Sequence, residues 1–473
     1  MPMEDTQATV TADPTVTIAS GVVVGTTRTP INQPSPSAVL NAYLGVPFAK
    51  SPPKRFSAPE EPEAWENPLL AQALAPRCPQ QELRGNSSLE SYLAPTAAED
   101  VRQSEVCLYL NVYAPQSAST SNPNAVMFWT HGANLGSGSA SESSYTDPAF
   151  SINEDIIIVT TNYRLGFFGF SNSPEIPLGQ QNSGGDPTEV TVFGSSAGGF
   201  STKQLVATPP SPLPFYAAIM ESQTAALPED GAANYQNVSQ HFGCTDINCL
   251  RNVPMHDLQN YILGNNLFFY PSVDNVTCVS DIRKSIDKGT SANVPIILGT
   301  NANELSGLVY QISDNGTADV DSTLNEICHA VVPVMVTDTV FTCPTGAIAN
   351  YTSEHSYCGW RYRYSASFND TGTFPGEGAT HGSEVPIVFG TYPVGGATDQ
   401  KVVLSHYMQH AWASFAKNPG GGPGWPQVGT NGGIELADIG SGDSSGETDI
   451  TFWEADSYCG TLLGYSDLLG FSW

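Results

Sequence analysis

An α/β architecture, with a large, mostly parallel central sheet flanked by helices, follows from three features of the sequence. Short Val/Ile/Leu/Phe-rich runs alternate with helical stretches and polar loops; the runs are too uniformly apolar to keep a solvated face; and one of them leads into a Gly- and Ser-rich turn that opens a helix. Of the 473 residues, 40% are hydrophobic and only 13% charged, which is enough apolar material for a large core and too little charge for a disordered chain. No internal repeat appears, and no linker separates two cores. The expectation is a disordered segment over residues 1–14 followed by a single domain over 15–473.

Residues 15–26 read as a hairpin. The runs 108–113, 125–131, 155–162, 189–193, 216–221 and 294–300 read as strands buried on both faces, and 360–367 and 448–453 as later strands. Residues 400–417 carry apolar side chains at helical spacing and stop at an Asn-Pro-Gly-Gly-Gly-Pro-Gly break. The polar, Gly-rich stretch 429–446 reads as a surface loop.

Charge narrows the class of partner. With 46 acidic against 17 basic residues, the net charge of −29 leaves no basic stripe for a phosphate backbone and disfavours anionic membranes. Nucleic acid is therefore excluded as a partner. The longest apolar run, 330–336, is broken by Pro333, so no integral membrane segment is expected. Nine cysteines and sequons at Asn86, Asn237, Asn275, Asn315, Asn350 and Asn369 point to a secreted, glycosylated, extracellular protein. Met1 to Asp13 has neither the basic nor the apolar region of a signal peptide, so a signal is either removed or missing from this sequence.

The candidate chemistry starts at Gly194-Ser195-Ser196-Ala197-Gly198, a Gly-x-Ser-x-Gly pattern. With 44 glycines in the chain the pattern alone decides little, and Gly442-Asp443-Ser444-Ser445-Gly446 matches it as well. Context separates them. The first follows the run 189–193 and enters a stretch of small residues, which permits a tight strand-to-helix turn; the second has no strand before it and no helix after it. A turn of that kind exposes the Ser196 hydroxyl and sets the Ala197 N–H, at a helix start, where an oxyanion would form. Ser196 is thus the nucleophile candidate.

A serine needs a base, and the base needs a carboxylate that fixes its tautomer. Among the histidines beyond Ser196, His381 stands in a loop flanked by Gly378 and Gly382 that lets its side chain project, and it is the best base. His406 and His410, four apart on a helix, have a metal-binding spacing but no Glu after His406, so they read as a polar helix face and no metal site is expected. His329 and His355 lie in irregular polar segments. Glu304 follows the run 294–300 and so lies at the carboxyl end of a strand, where α/β sites are built; Glu221, at the end of an earlier strand, is the second candidate acid.

At these residues the chain resembles the type-B carboxylesterase/lipase family, α/β-hydrolases that include cholinesterases and secreted microbial esterases. The marks are Tyr43-Leu44-Gly45-Val46-Pro47-Phe48-Ala49, Arg55-Phe56, the stretch Ser104-Glu105-Val106-Cys107 with its continuation to Val112, Asn162-Tyr163-Arg164, the serine turn, Gly299-Thr300-Asn301 and His381-Gly382-Ser383-Glu384. The likeness runs over nearly the whole chain. It implies the α/β-hydrolase fold, a Ser196–Glu304–His381 triad, an Arg55–Glu105 ion pair, and disulfides Cys78–Cys107 and Cys244–Cys249. Cys343 and Cys358 could form a third, leaving Cys278, Cys328 and Cys459 unassigned. It also implies hydrolysis of a small-molecule carboxylic ester through an acyl-enzyme, with no cofactor. The alternatives are a lipase acting on acylglycerols and an esterase-like binding protein with impaired catalysis.

Three departures from the family stand out. The oxyanion loop reads His131-Gly132-Ala133-Asn134-Leu135-Gly136-Ser137-Gly138 in place of a Gly-Gly-Gly run and looks shorter by about two residues, with Ala133 and Asn134 as its expected N–H donors beside Gly132. Ser195 replaces the family's frequent Glu or Gln before the nucleophile. Between residues 171 and 184 the helix that crosses from one parallel strand to the next is missing, a shortfall of about 20 residues that is either a genuine variant or a lost segment. Arg164 would then lack the Asp that pairs with it in the family, a costly arrangement if it is buried.

Overall fold

The structure is a computed structural model, which describes residues 13–32, 38–80, 102–121, 123–176, 190–223, 231–307, 332–368, 377–430, 435–442, 444–451 and 455–462. Asn86, Asn315, Asn369, His329 and Cys328, the terminal segment 1–12 and the crossover residues 177–189 lie outside these.

The expected hairpin forms from β1 (Thr15–Ile18) and β2 (Gly21–Val24), and β2 also pairs with β5 (Leu69–Leu70). The central sheet collects eleven strands: β3 (Thr26–Arg28), β4 (Leu40–Pro47), β6 (Tyr109–Pro115), β7 (Val126–Thr130), β8 (Ile157–Thr161), β9 (Val190–Ser195), β10 (Phe215–Glu221), β11 (Ile296–Asn301), β12 (Gly359–Tyr364), β13 (Glu435–Ile439) and β14 (Glu447–Thr451). Their spatial order is β14-β13-β12-β11-β10-β9-β7-β8-β6-β4-β3. The pairs from β13 through β8 are parallel, and those at both ends are antiparallel.

The central strands β9 and β11 are buried at every residue, while β4, near the edge, alternates buried and half-buried positions. Both faces of β9 carry core. Phe193 packs on Trp129 with ring centroids 4.8 Å apart and on Phe389 at 5.6 Å, whereas Val192 joins Val206 of the helix Ala197–Ala207 on the opposite side. The helix Asp399–Lys417, expected from residue 400, covers the Phe193 side with Leu404, Met408, Trp412 and Phe415.

Two expectations about strands differ from the structure. The 429–446 stretch is not all loop, because Leu436, Ala437 and Ile439 are buried and β13 pairs parallel to β12; five residues between Gly-rich flanks are enough for a strand but too few for a clear pattern. The run at 108–113, expected to be buried on both faces, is antiparallel on both sides and leaves Tyr109, Leu110 and Val112 half-buried.

The helix Val332–Glu354 is long and apolar enough to cross a bilayer on composition alone, but 61% of its apolar 18-residue stretch is buried within the fold, as in a core helix. Three disulfides are formed among the described residues: Cys78–Cys107 and Cys244–Cys249 as expected, and Cys343–Cys459 in place of Cys343–Cys358. Cys343 opens a 12-residue helix and Cys358 lies beyond its far end, so roughly 18 Å of helix rise separates them, well past the reach of a disulfide. Cys358 is an exposed free thiol and Cys278 a buried one.

Candidate active site

The chain passes from β7 to β8 on one side and returns across β7 to β9 on the other, so a crevice opens at the carboxyl ends of β7 and β9. The loop after β7 begins at His131, and the turn after β9 carries Ser196. They meet closely. A Cβ on Gly132 would lie 2.9 Å from the Ser195 carbonyl oxygen and 3.1 Å from the Ser196 Cβ.

Ser196 has φ 60° and ψ −121°, a conformation that non-glycine residues avoid, and it caps the helix Ala197–Ala207. Its N–H donates to the Glu221 carbonyl at 2.9 Å, and the Phe200 N–H donates to its carbonyl at 2.8 Å. The turn closes only because Gly198 has no side chain: a Cβ there would sit 1.9 Å from the Thr130 carbonyl oxygen. Among residues 190–200 Ser196 alone is half-exposed.

The second match, at Ser444, lies in the return between β13 and β14, where the Ser444 hydroxyl bonds only the Gly446 backbone. A strand does precede it, contrary to the sequence expectation, but an antiparallel strand rather than a helix follows.

Glu304 and His381 come together as the residue order suggested. His381 Nδ1 lies 2.7 Å from Glu304 Oε2, and the His381 N–H donates to the Glu304 carbonyl at 3.0 Å, so side chain and backbone share one clamp. Glu304 is fully buried and its other oxygen accepts from the Asn301 N–H at 2.7 Å. Burial alone would lower the His381 pKa, but the hydrogen bond to Glu304 and the charges of Glu304 and Glu384 outweigh it, and the net direction is up. The ring of Phe341, from a single π-turn at Asp338–Thr342, packs 5.0 Å from the His381 ring.

Ser196 makes no hydrogen bond to His381 in this arrangement; the two turns are joined one residue to the side. Ser195 Oγ donates to Glu384 Oε1 at 3.0 Å, and the other Glu384 oxygen accepts from Asn301 Nδ2. Ser195, at the position where the family often has an acid, is thus the partner of a fully buried acid three residues beyond His381.

Glu221, the second candidate acid, is buried and bonded to a residue other than His381. Its Oε1 accepts from Trp412 Nε1 at 2.7 Å, and burial with the neighbouring Glu384 pushes its pKa up to about 8. A carboxyl held neutral is unsuited to orient an imidazolium.

The remaining histidines divide by environment. His406, His410 and His355 are exposed, and no cluster of metal-ligating side chains exists among the described residues. Arg55 and Glu105 form the expected ion pair, in bidentate geometry. Arg164 has no salt bridge among the described residues, but its guanidinium is not bare: Nη1 donates to the Ser57 carbonyl at 2.6 Å and Nη2 to the Lys54 carbonyl at 3.2 Å, and burial shifts its pKa down. Residues 171–176 ahead of the expected shortfall are not helical.

The sequence missed Phe341, and also Tyr270, whose hydroxyl accepts from Asn134 Nδ2 at 3.0 Å. Glu384 was visible in the His381-Gly382-Ser383-Glu384 stretch, but nothing in the one-dimensional pattern ties it to Ser195.

Comparison with known proteins identifies the family and the fold. The model of the carboxylesterase family matches residues 12–177, 181–331 and 327–447. Para-nitrobenzyl esterase of Bacillus subtilis (strain 168) is 32% identical over 461 residues, covering 85% of this chain and 89% of the relative. Carboxylesterase 1F of Mus musculus is 28% identical over 501 residues, with 88% of each chain covered. A solved structure of PNB esterase superposes with a TM-score of 0.76 at 30% identity, covering 96% of this chain and 99% of that one. The chain therefore belongs to the carboxylesterase family, ester hydrolases with the α/β-hydrolase fold.

Proposed function

We propose that Ser196, His381 and Glu304 are the catalytic triad of a two-step carboxylic ester hydrolysis. The observation that carries the reading is the buried 2.7 Å contact between His381 Nδ1 and Glu304 Oε2, opposite the strained turn that presents Ser196. With Nδ1 holding a proton toward Glu304, Nε2 is the free lone pair that takes the Ser196 proton. Ser196 Oγ then attacks the ester carbonyl, and the negative charge moves to the carbonyl oxygen. The N–H groups of Ala197, Ala133 and Asn134, with Gly132 admitting the close approach, receive that oxygen. His381 gives its proton to the departing alcohol, and a water molecule repeats the sequence to free the acid and regenerate Ser196. The Ser196–His381 hydrogen bond, not made in this arrangement, forms once substrate is bound.

The substrate class is a small-molecule carboxylic ester, and the reaction uses groups of the chain and one water molecule. The Cys78–Cys107, Cys244–Cys249 and Cys343–Cys459 bridges support folding in an oxidising secretory route, and the exposed sequon residues Asn237, Asn275 and Asn350 are accessible to glycosylation there.

The test uses p-nitrophenyl acetate turnover and stoichiometric labelling by an organophosphonate. Ser196→Ala is expected to lower kcat by about 10⁴-fold or more and to abolish the label. Equal turnover by wild type and variant, or a folded wild type that takes no label, would favour a binding protein instead.

A further inference from the structure

The loop that faces Ser196 holds three successive non-glycine residues in left-handed backbone: Ala133 at φ 72°, Asn134 at 55° and Leu135 at 56°. Such a run is disfavoured at each step, by about 1–2 kcal/mol for an ordinary residue and less for Asn, so contacts outside the loop must hold it.

The ends of the run are anchored in the protein body. The Leu135 carbonyl accepts from the Gly166 N–H at 2.8 Å, and its side chain is buried with Phe170, Ala197, Phe200 and Cys278. Upstream, the Tyr163 hydroxyl donates to the His131 carbonyl at 2.9 Å and its ring stacks on His131 at 4.3 Å. The centre of the run has a side-chain anchor of another kind. Asn134 Nδ2 donates to the Tyr270 hydroxyl at 3.0 Å.

Tyr270 is itself fixed. Its carbonyl accepts from Asn172 Nδ2 at 3.0 Å, and its ring packs against the cluster that contains Leu135 and Ala197. The chain beyond it is tied into a tight turn by Asp274, whose Oδ1 accepts from the N–H groups of Val276, Thr277 and Cys278 at 2.8 to 2.9 Å. That turn delivers Cys278 into the same cluster. The segment from Tyr270 to Cys278 therefore braces both sides of the oxyanion site, the loop through Asn134 and the serine turn through Ala197.

We propose that Tyr270 is a positioning residue for the oxyanion site, and that its hydroxyl, through Asn134, holds the Ala133 and Asn134 N–H groups in the donating geometry. The inference rests on the triad and oxyanion assignment made above. Because the charge to be held exists only in the transition state, the clamp acts on kcat and leaves KM nearly unchanged.

The experiment compares wild type, Tyr270→Phe, Asn134→Ala, the double variant and Ser196→Ala, with p-nitrophenyl acetate kinetics and inhibition by an aryl trifluoromethyl ketone, whose hemiketal oxyanion needs the same donors. Tyr270→Phe is expected to lower kcat between about threefold and tenfold, the range of one hydrogen bond, with KM steady and the ketone Ki raised by the same factor. The double variant is expected to be no slower than Asn134→Ala alone, since both changes remove one contact. A Tyr270→Phe enzyme with unchanged kcat and ketone Ki, or losses that simply multiply in the double variant, would overturn the clamp. Persistent turnover by Ser196→Ala would instead overturn the triad reading, and the clamp with it. A purely structural role would lower the melting temperature without moving the ketone Ki in step with kcat.

Discussion

The two turns that meet at Ser196 reach disfavoured backbone by different means. The serine turn concentrates its strain in one residue, Ser196, and surrounds it with Gly194, Gly198 and Gly199, where an added Cβ would fall 2.5, 1.9 and 2.5 Å from backbone oxygens. The loop after β7 spreads left-handed backbone over Ala133, Asn134 and Leu135 and holds it with side-chain anchors, Leu135 in a buried cluster and Asn134 on Tyr270. The first depends on the absence of atoms and the second on contacts. A methyl group added to the serine turn should therefore be far more damaging than one removed from the loop.

Among changes that probe the backbone of the two turns, the largest effect is expected at Gly198→Ala. Its Cβ would need the carbonyl of Thr130 to move by more than 1 Å, but Thr130 is the last residue of β7 and is paired on both sides with β8 and β9. Overpacking of this kind costs about 1–3 kcal/mol or more, and here the shift falls on the backbone that positions Ser196. Loss of at least about 10²-fold in kcat, with a lower melting temperature, is expected. Retention of wild-type activity would show that the turn has slack the structure does not suggest.

How far each region could be read in advance follows from the same contrast. The serine turn was legible because its requirement is written locally, in small residues after an apolar run. His381 and Glu304 were legible because flanking glycines and a strand end mark projecting positions. The loop was visible as a departure, but its anchor was not: Tyr270 lies 136 residues from Asn134, and no spacing rule connects them. The strand β13 failed for a different reason, being five residues between glycine-rich flanks. The Cys343 pairing failed because sequence proximity says nothing of the helix that carries Cys358 away.

An intermediate effect separates the base from both turns. His381 must be neutral at Nε2 to accept the serine proton, and its pKa is raised above 6.5 by Glu304 and Glu384 against the opposing effect of burial. Activity is therefore present above that raised pKa and falls as pH drops through it, by about tenfold per unit on the acid limb. The acid limb of kcat/KM for wild type should have its midpoint above 6.5. Glu384→Gln, which keeps an acceptor for Ser195 but removes a nearby charge, should move that midpoint down. Tyr270→Phe should leave it in place, because the clamp does not touch the imidazole. A midpoint that moves in Tyr270→Phe would mean that the loop and the base are coupled, contrary to the division drawn between them.

The smallest effect is the most discriminating for the loop. Ala133→Gly removes a Cβ from a residue at φ 72°, which relieves left-handed strain of about 1–2 kcal/mol, while glycine's greater freedom in the unfolded chain takes back about 0.4–1. A net gain of roughly 0.5 kcal/mol in stability is expected, read as a slightly higher midpoint in urea at unchanged slope. Turnover should not rise with it. The anchors at Leu135 and Asn134 already fix the conformation, so relieving strain between them adds stability without improving the aim of the N–H donors. If Ala133→Gly is instead less stable and slower, the Ala133 side chain is itself one of the contacts that hold the loop, and the anchoring is shared more widely than through Asn134 and Leu135. If it is more stable but slower, the strain was part of how the donors were aimed, and the loop would resemble the serine turn after all.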